Sequence, residues 1–253
     1  IRVYSRSFAV KISLPPMKRS AKKPTIFSSA KWLTARKALL RQEKAFSRLR
    51  ERLTRQRRRL PWVKVDENYV FTTPAGKKSL AELFAGRSQL IVYHFMLGPG
   101  WTEGCRGCSF VSDHFDGALA HLNARDVSLT AVSSAPLKEI SAFRKRMGWK
   151  FPWASSHGTK FNHDYGVTFT PAEIATGRIN YNYAVRDMPM DELPGLSVFA
   201  RDAAGNIYHT YSTYSRGLES LIGTYNLLDL VPKGRDEEGL KQNMAWVRHH
   251  DRY

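Results

Sequence analysis

The chain contains two cysteines, Cys105 and Cys108, among its 253 residues, and they lie three positions apart. They follow the apolar run Leu90–Leu97 and open a segment with helical spacing. A sulfur at a helix N-terminus meets unpaired backbone N–H groups, which favour the thiolate, the form that attacks disulfides and peroxides. In such a dithiol the first cysteine is usually the exposed attacker. We therefore predict Cys105 as the nucleophile and Cys108 as the resolving thiol.

A zinc site is the competing interpretation of these cysteines. It would need two more ligands, and His114 and His121 are the nearest candidates. The second ligand pair of a zinc module normally has its own short spacing on a separate turn. We therefore expect neither a metal nor a cofactor.

Several other side chains are candidates for lining the dithiol site. Arg106 adds positive charge beside the thiolate, and Glu103 opposes it. Trp101, in the loop before Cys105, can cover the sulfur with a flat apolar ring. A single histidine on a strand is more often a hydrogen-bonded core residue than a base, so the remaining candidates are weaker. They are His94, His209, Tyr211 and Tyr214.

The elements that must position these residues alternate between strand and helix. Residues 89–95 and 127–132 read as strands, whereas 105–123 and 137–147 read as helices. Such alternation implies parallel strands joined by right-handed crossovers, and hence an α/β fold with a central sheet. A hairpin is predicted around Gly205, and a last helix over 217–228.

Basic residues concentrate at the N-terminus. The net charge is +18, and residues 1–64 carry 20 of the 40 Lys and Arg but only Glu43 and Glu51 among the 22 acids. The remainder is therefore neutral, which argues against nucleic-acid binding by the body of the protein. We interpret 1–27 as a disordered basic tail, with a transit peptide as the alternative.

A long amphipathic helix is predicted over 28–61, before a domain that spans 62–253 with an insertion at about 154–192. Its apolar residues recur every seven positions, and its other faces are strongly basic. A solvated helix packed on its own body or on a twin subunit is the simpler interpretation, and binding of nucleic acid or acidic lipid is the alternative. The heptad positions are Trp32, Leu39, Phe46, Leu53 and Leu60.

Several segments resemble domain-of-unknown-function family 899, whose members are described as predicted dithiol-disulfide oxidoreductases. The resemblance runs from about Trp32 to Tyr253 and implies a thioredoxin-like fold with the two cysteines as its redox pair. The family commonly has Pro-Ser or a similar small pair between them, where this chain has Arg106-Gly107, so the redox potential and preferred substrate do not follow from it. The segments that carry the resemblance include Gly104–Phe110, Asp113–Gly117, Arg146–Trp153, Phe161–Asp164, His209–Gly217 and Leu228–Arg235.

Pro194 stands where a thioredoxin-like site places a proline, commonly cis, just before a strand that ends beside the dithiol. There it would form an opposing wall for an extended substrate. An ordinary trans loop proline is the alternative, and the sequence leaves both open.

The leading functional hypothesis is thiol-disulfide exchange with a protein or small-molecule disulfide, followed by re-reduction by an external thiol. A thioredoxin-like peroxidase is a narrower version, and a binding or assembly module that uses the basic helix, for instance as a homodimer, is the alternative. No apolar run is long enough to span a membrane. The absence of other cysteines favours a reducing interior, cytoplasmic or alternatively mitochondrial.

Overall fold

The computed structural model describes residues 25–253, so most of the predicted N-terminal tail lies outside the described residues. The first element is helix α1, Ser29–Arg57, which has no buried residue. It ends before the predicted position 61. The residue before a proline is disfavoured in helical conformation, and the chain turns over residues 58–60, ahead of Pro61. The described residues form two compact units, 25–56 and Arg57–Tyr253.

The second unit is built on an eight-stranded mixed sheet with the order β1-β10-β9-β4-β5-β6-β2-β3. A separate hairpin pairs β7 with β8. The strands are β1 Val63–Lys64, β2 Val70–Thr73, β3 Gly76–Ser79, β4 Gln89–His94, β5 Val127–Ser133, β6 Trp153–Ser155, β7 Ile179–Tyr181, β8 Ala184–Arg186, β9 Gly195–Arg201 and β10 Ile207–Tyr214.

Seven further helices connect these strands. They are α2 Leu80–Leu83, α3 Arg106–Ser112, α4 Asp116–Asn123, α5 Leu137–Arg146, α6 Phe161–Asp164, α7 Pro171–Ala175 and α8 Gly223–Leu228. A 3-10 helix, Ser215–Leu221, precedes α8, so the predicted helix over 217–228 is two shorter ones. Within residues 25–253 no helix combines the length and the apolar character needed to cross a membrane.

The centre of the sheet has thioredoxin-like topology. Strands β4, β5 and β6 are parallel, as the strand-helix alternation predicted. Strand β9 runs antiparallel to β4, and β10 runs antiparallel to β9. The chain order β4-α3-α4-β5-α5-β9-β10-α8 with the strand order β5-β4-β9-β10 defines this fold. The predicted fold class is therefore confirmed.

The helix predicted over 105–123 is interrupted between α3 and α4. The N–H groups of His114 and Phe115 bond to carbonyls three residues earlier, at Val111 and Ser112. This tighter pattern ends α3 and redirects the chain before Asp116.

Apolar side chains cover both faces of the sheet. One cluster includes Tyr93, Phe95, Cys108 and Phe143 on the face that carries α3 and α5. The other includes Leu90, Val92 and Phe199 on the opposite face. Alternate residues of β4 thus point to opposite sides, and Tyr93 and Phe95 point toward the cysteines.

Candidate functional site

The backbone of Met96 connects the end of β4 to both cysteines. The N–H of Cys105 donates to the carbonyl oxygen of Met96 at 3.1 Å. The N–H of Met96 donates to Sγ of Cys108 at 3.5 Å. The N–H and hydroxyl of Ser109 both donate to the carbonyl of Cys105, each at 2.9 Å, which starts α3 with Cys105 as its N-cap residue. The dithiol is thereby fixed at the carboxyl end of a central strand.

Gly104 lies in tight packing immediately before Cys105. A Cβ at this position would stand 2.5 Å from the Phe95 ring and 2.8 Å from the Phe143 ring. On its other side, the carbonyl of Gly104 bonds to Nε2 of His249 at 2.9 Å. These contacts restrict the conformation of the backbone immediately before Cys105.

The two thiols have opposite environments. Cys108 is 2% exposed, and burial, followed by the Cys105 sulfur beside it, raises its pKa well above the usual value. Cys105 is partly exposed, and both cysteines are free thiols. A hydrogen bond from the Cys108 thiol, with further ones from the N–H groups of Cys108 and Gly107 and the charge of Arg106, lowers the Cys105 pKa to about 6 against the opposing effect of burial. Cys105 is therefore the thiolate of the pair at neutral pH.

Tyr93 lies beneath the dithiol with its ring fully buried. Its hydroxyl has no partner in hydrogen-bond geometry among the described residues, yet it is near enough to Cys108 to affect that thiol's ionisation. Burial, and then the neighbouring cysteines, raise the pKa of Tyr93 well above 10. The hydroxyl thus stays protonated and can donate to a sulfur that becomes negatively charged.

A pocket of about 280 Å³ opens above the two sulfurs. Its walls come from α3, from the 3-10 helix and the residues just after it, from Pro194 and from a C-terminal segment. The lining residues, besides the two cysteines and Tyr93, are Gly107, Val111, Pro194, Ser215, Arg216, Leu218, Glu219, Ile222, Asn243 and Met244.

Pro194 lines this pocket together with the cysteines. No peptide bond among residues 25–253 is cis, so the bond before Pro194 is trans. Its carbonyl accepts a hydrogen bond of 2.7 Å from the hydroxyl of Tyr181, which leaves that oxygen already engaged.

Arg106 and Trp101 do not line the pocket. Arg106 is exposed on the first turn of α3 and acts on Cys105 through its charge. Trp101 folds back on its own loop, where its Nε1 would lie 3.0 Å from a Cβ at Gly98. Glu103 is held by Arg146 at 3.0 Å and does not pair with Arg106.

The histidine and tyrosine candidates either make hydrogen bonds within the fold or lie away from the pocket. His94 is buried and bonds to Ser197 at 2.8 Å, and burial lowers its pKa to about 3. His209 bonds to the Ser212 hydroxyl at 2.7 Å on β10. The hydroxyl of Tyr214 donates to the carbonyl of Tyr165, and Tyr211, also on β10, does not line the pocket.

The structure gives no support to the alternative of a zinc site. The ring of His114 bonds to the Phe110 carbonyl and to Thr224. Within residues 25–253 no group of three or more His, Cys, Asp or Glu residues is arranged to hold a metal ion.

Tyr93, Met244 and the 3-10 helix are site components that sequence reasoning missed. Alternation along β4 could have identified Tyr93, since it shares the face of Phe95 below α3. No comparable signal marks Met244, because the polar C-terminal segment has no periodicity.

Fold and site together define a thioredoxin-like protein with a Cys-x-x-Cys pair at the start of the helix after the first core strand. The chain belongs to the family "Bacterial protein of unknown function (DUF899)", whose model matches residues 21–253. This family is the one that the sequence motifs indicated.

Solved structures similar to this chain include a peroxidoxin and a peroxiredoxin. Peroxidoxin BcpB from Mycobacterium tuberculosis is 12% identical with a TM-score of 0.42, over 64% of this chain and 96% of that one. A peroxiredoxin Q from Xanthomonas campestris is 11% identical with a TM-score of 0.43, over 66% and 98%. No curated protein matches the chain. At these scores the likenesses carry no argument about activity.

Proposed function

We propose that this protein is a thiol-disulfide oxidoreductase in which Cys105 attacks a disulfide and Cys108 resolves the intermediate. The observation that carries the proposal is a partly exposed thiol at the N-cap of α3 beside a buried one. The pKa of Cys105 is lowered to about 6, and that of the buried Cys108 is raised. A partly exposed thiolate beside a protected thiol is the arrangement that sequential attack and resolution require.

The reaction transfers two electrons from the protein to the substrate. The Cys105 thiolate attacks one sulfur of a substrate disulfide, the substrate S–S bond breaks, and the other half leaves as a thiolate. Cys108 then loses its proton and attacks Sγ of Cys105, which releases the second half as a thiolate. The protein is left with a Cys105–Cys108 disulfide, and an external dithiol reductant reopens it. Such recycling suits a reducing compartment such as the cytoplasm.

Tyr93 has a positioning role in the second half of this reaction. Cys108 must become a thiolate in a buried site, which is costly without a hydrogen-bond donor. The unpartnered hydroxyl of Tyr93 lies beside this sulfur and remains protonated. Donation to the Cys108 thiolate would lower the cost of resolution.

Serine substitution at each cysteine tests the order of attack. Cys108→Ser should accumulate a stable mixed disulfide at Cys105 with 5,5′-dithiobis(2-nitrobenzoate), releasing one nitrothiobenzoate per protein, where the native protein releases two. Cys105→Ser should react at least 100-fold more slowly, since the remaining thiol is buried and protonated. Mass spectrometry locates the adduct. A stable adduct on Cys108, or equal rates for the two variants, would contradict the assignment.

A second function, compatible with the first, is partner binding by α1. The large apolar residues at its heptad positions are exposed, with Trp32 at 59%, Leu39 at 50% and Phe46 at 66%. Because α1 has no buried residue, these apolar side chains do not stabilise it by burial. Exposed apolar side chains that lie together on one surface are typical of an interaction site. This observation favours a binding role for the helix beside the redox role of the dithiol.

A further inference from the structure

The C-terminal residues 237–247 close one side of the pocket above the dithiol, and we call them the C-terminal strap. Asn243 and Met244 of the strap line the pocket together with both cysteines. A Cβ at Gly107 would stand 3.4 Å from Cε of Met244 and 3.8 Å from Sγ of Cys105. Met244 therefore reaches Gly107 between the two cysteines, where an added Cβ would stand in van der Waals contact with both Met244 and Cys105.

Glu237 fixes the strap to the body of the protein. Its Oε1 accepts three hydrogen bonds, from the Tyr225 hydroxyl at 2.6 Å, the Met244 N–H at 2.9 Å and Nε1 of Trp246 at 2.8 Å. Tyr225 belongs to α8 and is 1% exposed. The carboxylate thus ties both the backbone of Met244 and the ring of Trp246 to a rigid part of the core.

A second attachment holds the chain just beyond the strap. His249 is 1% exposed and bonds to the carbonyl of Gly104, the residue before Cys105. Val247 is also buried, at 2% exposure. Because hydrogen bonds and buried side chains hold both ends of the segment, the wall formed by Met244 is a fixed part of the site.

The backbone of Met244 has a positive φ of 66°. A residue with a side chain rarely adopts this conformation, so holding it there is strained. The hydrogen bond from its N–H to Glu237 keeps it in place. In this conformation the Met244 side chain lines the pocket.

The pocket has the size and charge for a small neutral ligand. Its volume of about 280 Å³ lies below the usual range for drug-sized ligands. Val111, Leu218 and Ile222 supply apolar walls. Apart from the Cys105 thiolate, the charged residues of its lining are Arg216 and Glu219, which pair with each other at 3.1 Å. Glu219 also pairs with Arg235 at 3.3 Å, so its carboxylate does not face a substrate as an isolated charge.

We propose that the substrates of the dithiol are small disulfides with neutral, apolar substituents, and that the Met244 wall excludes protein disulfides. This inference rests on the proposed oxidoreductase function and adds its substrate class. The redox step is the exchange given above, with each half of the small disulfide released as a thiol. Met244 acts as a specificity-determining residue and takes no part in the electron transfer.

The test is the rate at which the reduced full-length protein is oxidised by three disulfides: diethyl disulfide, the zwitterionic cystine, and insulin. Each second-order rate constant is divided by that of the same disulfide with dithiothreitol, which removes differences in intrinsic reactivity. We expect the ratio for diethyl disulfide to exceed those for cystine and insulin at least tenfold. Met244→Gly, which tolerates the positive φ, should raise the insulin ratio at least tenfold. Met190→Gly, at an exposed methionine outside the pocket, is the matched control and should change nothing.

A second variant narrows the pocket without loosening the strap. Gly107→Ala places a methyl group against Met244 in a helical position that favours alanine. It should slow diethyl disulfide several-fold more than it slows alkylation of Cys105 by the smaller iodoacetamide, which reports any change in the thiol itself. Equal normalised rate constants for insulin and diethyl disulfide in the native protein would overturn the inference. Unchanged values in both Met244→Gly and Gly107→Ala would do the same, and neither result would affect the proposed oxidoreductase function. Failure of every disulfide to oxidise the native protein would overturn the proposed function, and this inference with it.

Discussion

Cys105 and Cys108 are chemically identical side chains one helical turn apart, and burial together with a few hydrogen bonds separates their ionisation. Cys105 gains donors from the Cys108 thiol and from two backbone N–H groups, whereas Cys108 is enclosed by the core. The placement of the two cysteines after a strand and at the start of a helix could be predicted from sequence, because spacing and position along the chain are local features. The Tyr93 hydroxyl below them could not be assigned a role without knowing that it lacks a partner.

Tyr93→Phe should slow the resolving step while leaving the first attack unchanged. The loss of one hydrogen bond to a charged sulfur corresponds to about 1.5–3 kcal/mol, or roughly a 10- to 100-fold slower second step. Stopped-flow absorbance with 5,5′-dithiobis(2-nitrobenzoate) separates the release of the first and second nitrothiobenzoate. Tyr69→Phe, on the other face of the sheet, where the hydroxyl donates to Asp164, is the control. Unaltered release of the second group in Tyr93→Phe would remove Tyr93 from the mechanism.

At the scale of elements, the alternation of strand and helix over β4, α3, β5 and α5 follows from local periodicity and was predicted. Pairing between distant segments was not. The strand-like segments near residues 63 and 70 are neighbours in sequence, yet β1 forms one edge of the sheet beside β10, whereas β2 pairs with β6 and β3 near the other edge. Such partners depend on the whole sheet, so a local pattern does not identify them.

Gly104→Ala tests how tightly the β4–α3 connection is packed. The added methyl group would overlap two core rings, at 2.5 Å from Phe95 and 2.8 Å from Phe143. We expect the free energy of unfolding to fall by about 1–3 kcal/mol, as for other overpacked sites. Urea denaturation measures it. Gly117→Ala in α4, where a Cβ meets no atom within 4 Å, should instead be neutral or stabilising by up to about 1 kcal/mol. A neutral Gly104→Ala would show that the connection can relax.

At the scale of the whole molecule, the site is assembled from segments far apart in sequence. Pro194, the 3-10 helix and the C-terminal strap all meet α3 at the carboxyl end of β4. The sequence indicated Pro194 because of its place before a strand, but the aperiodic C-terminal segment gave no sign that Glu237 and Met244 would reach the dithiol. The loop before β9 also buries an acid, Glu192, at 3% exposure.

Glu192 should make the stability of the protein fall as pH rises. Burial raises its pKa from 4.5 to about 7, although the hydroxyls of Ser134 and Thr168 donate to it. The pKa of Glu192 is higher in the folded protein than in the unfolded one. Its contribution to the free energy of unfolding is therefore fully present below about pH 4.5 and is lost as the pH rises to about 7. The loss is about 2–3 kcal/mol.

Urea denaturation from pH 4 to pH 8 measures this effect. Glu192→Gln has no carboxyl to ionise at this position, so its free energy of unfolding should fall less over this range than that of the native protein. The difference should be about 2–3 kcal/mol. A Glu192→Gln profile parallel to the native one would mean that the buried carboxyl does not titrate in this window.

The most direct test of the account is the alkylation rate of each cysteine against pH in the reduced native protein, with iodoacetamide and peptide mass spectrometry to separate the two sites. Because the thiolate is the reacting form, the Cys105 rate should rise to a plateau with a midpoint near pH 6. Cys108 should stay unmodified until well above pH 8.5, since burial raises its pKa. A midpoint for Cys105 near the ordinary thiol value of about 8.5, or earlier modification of Cys108, would contradict the assignment of Cys105 as the nucleophile.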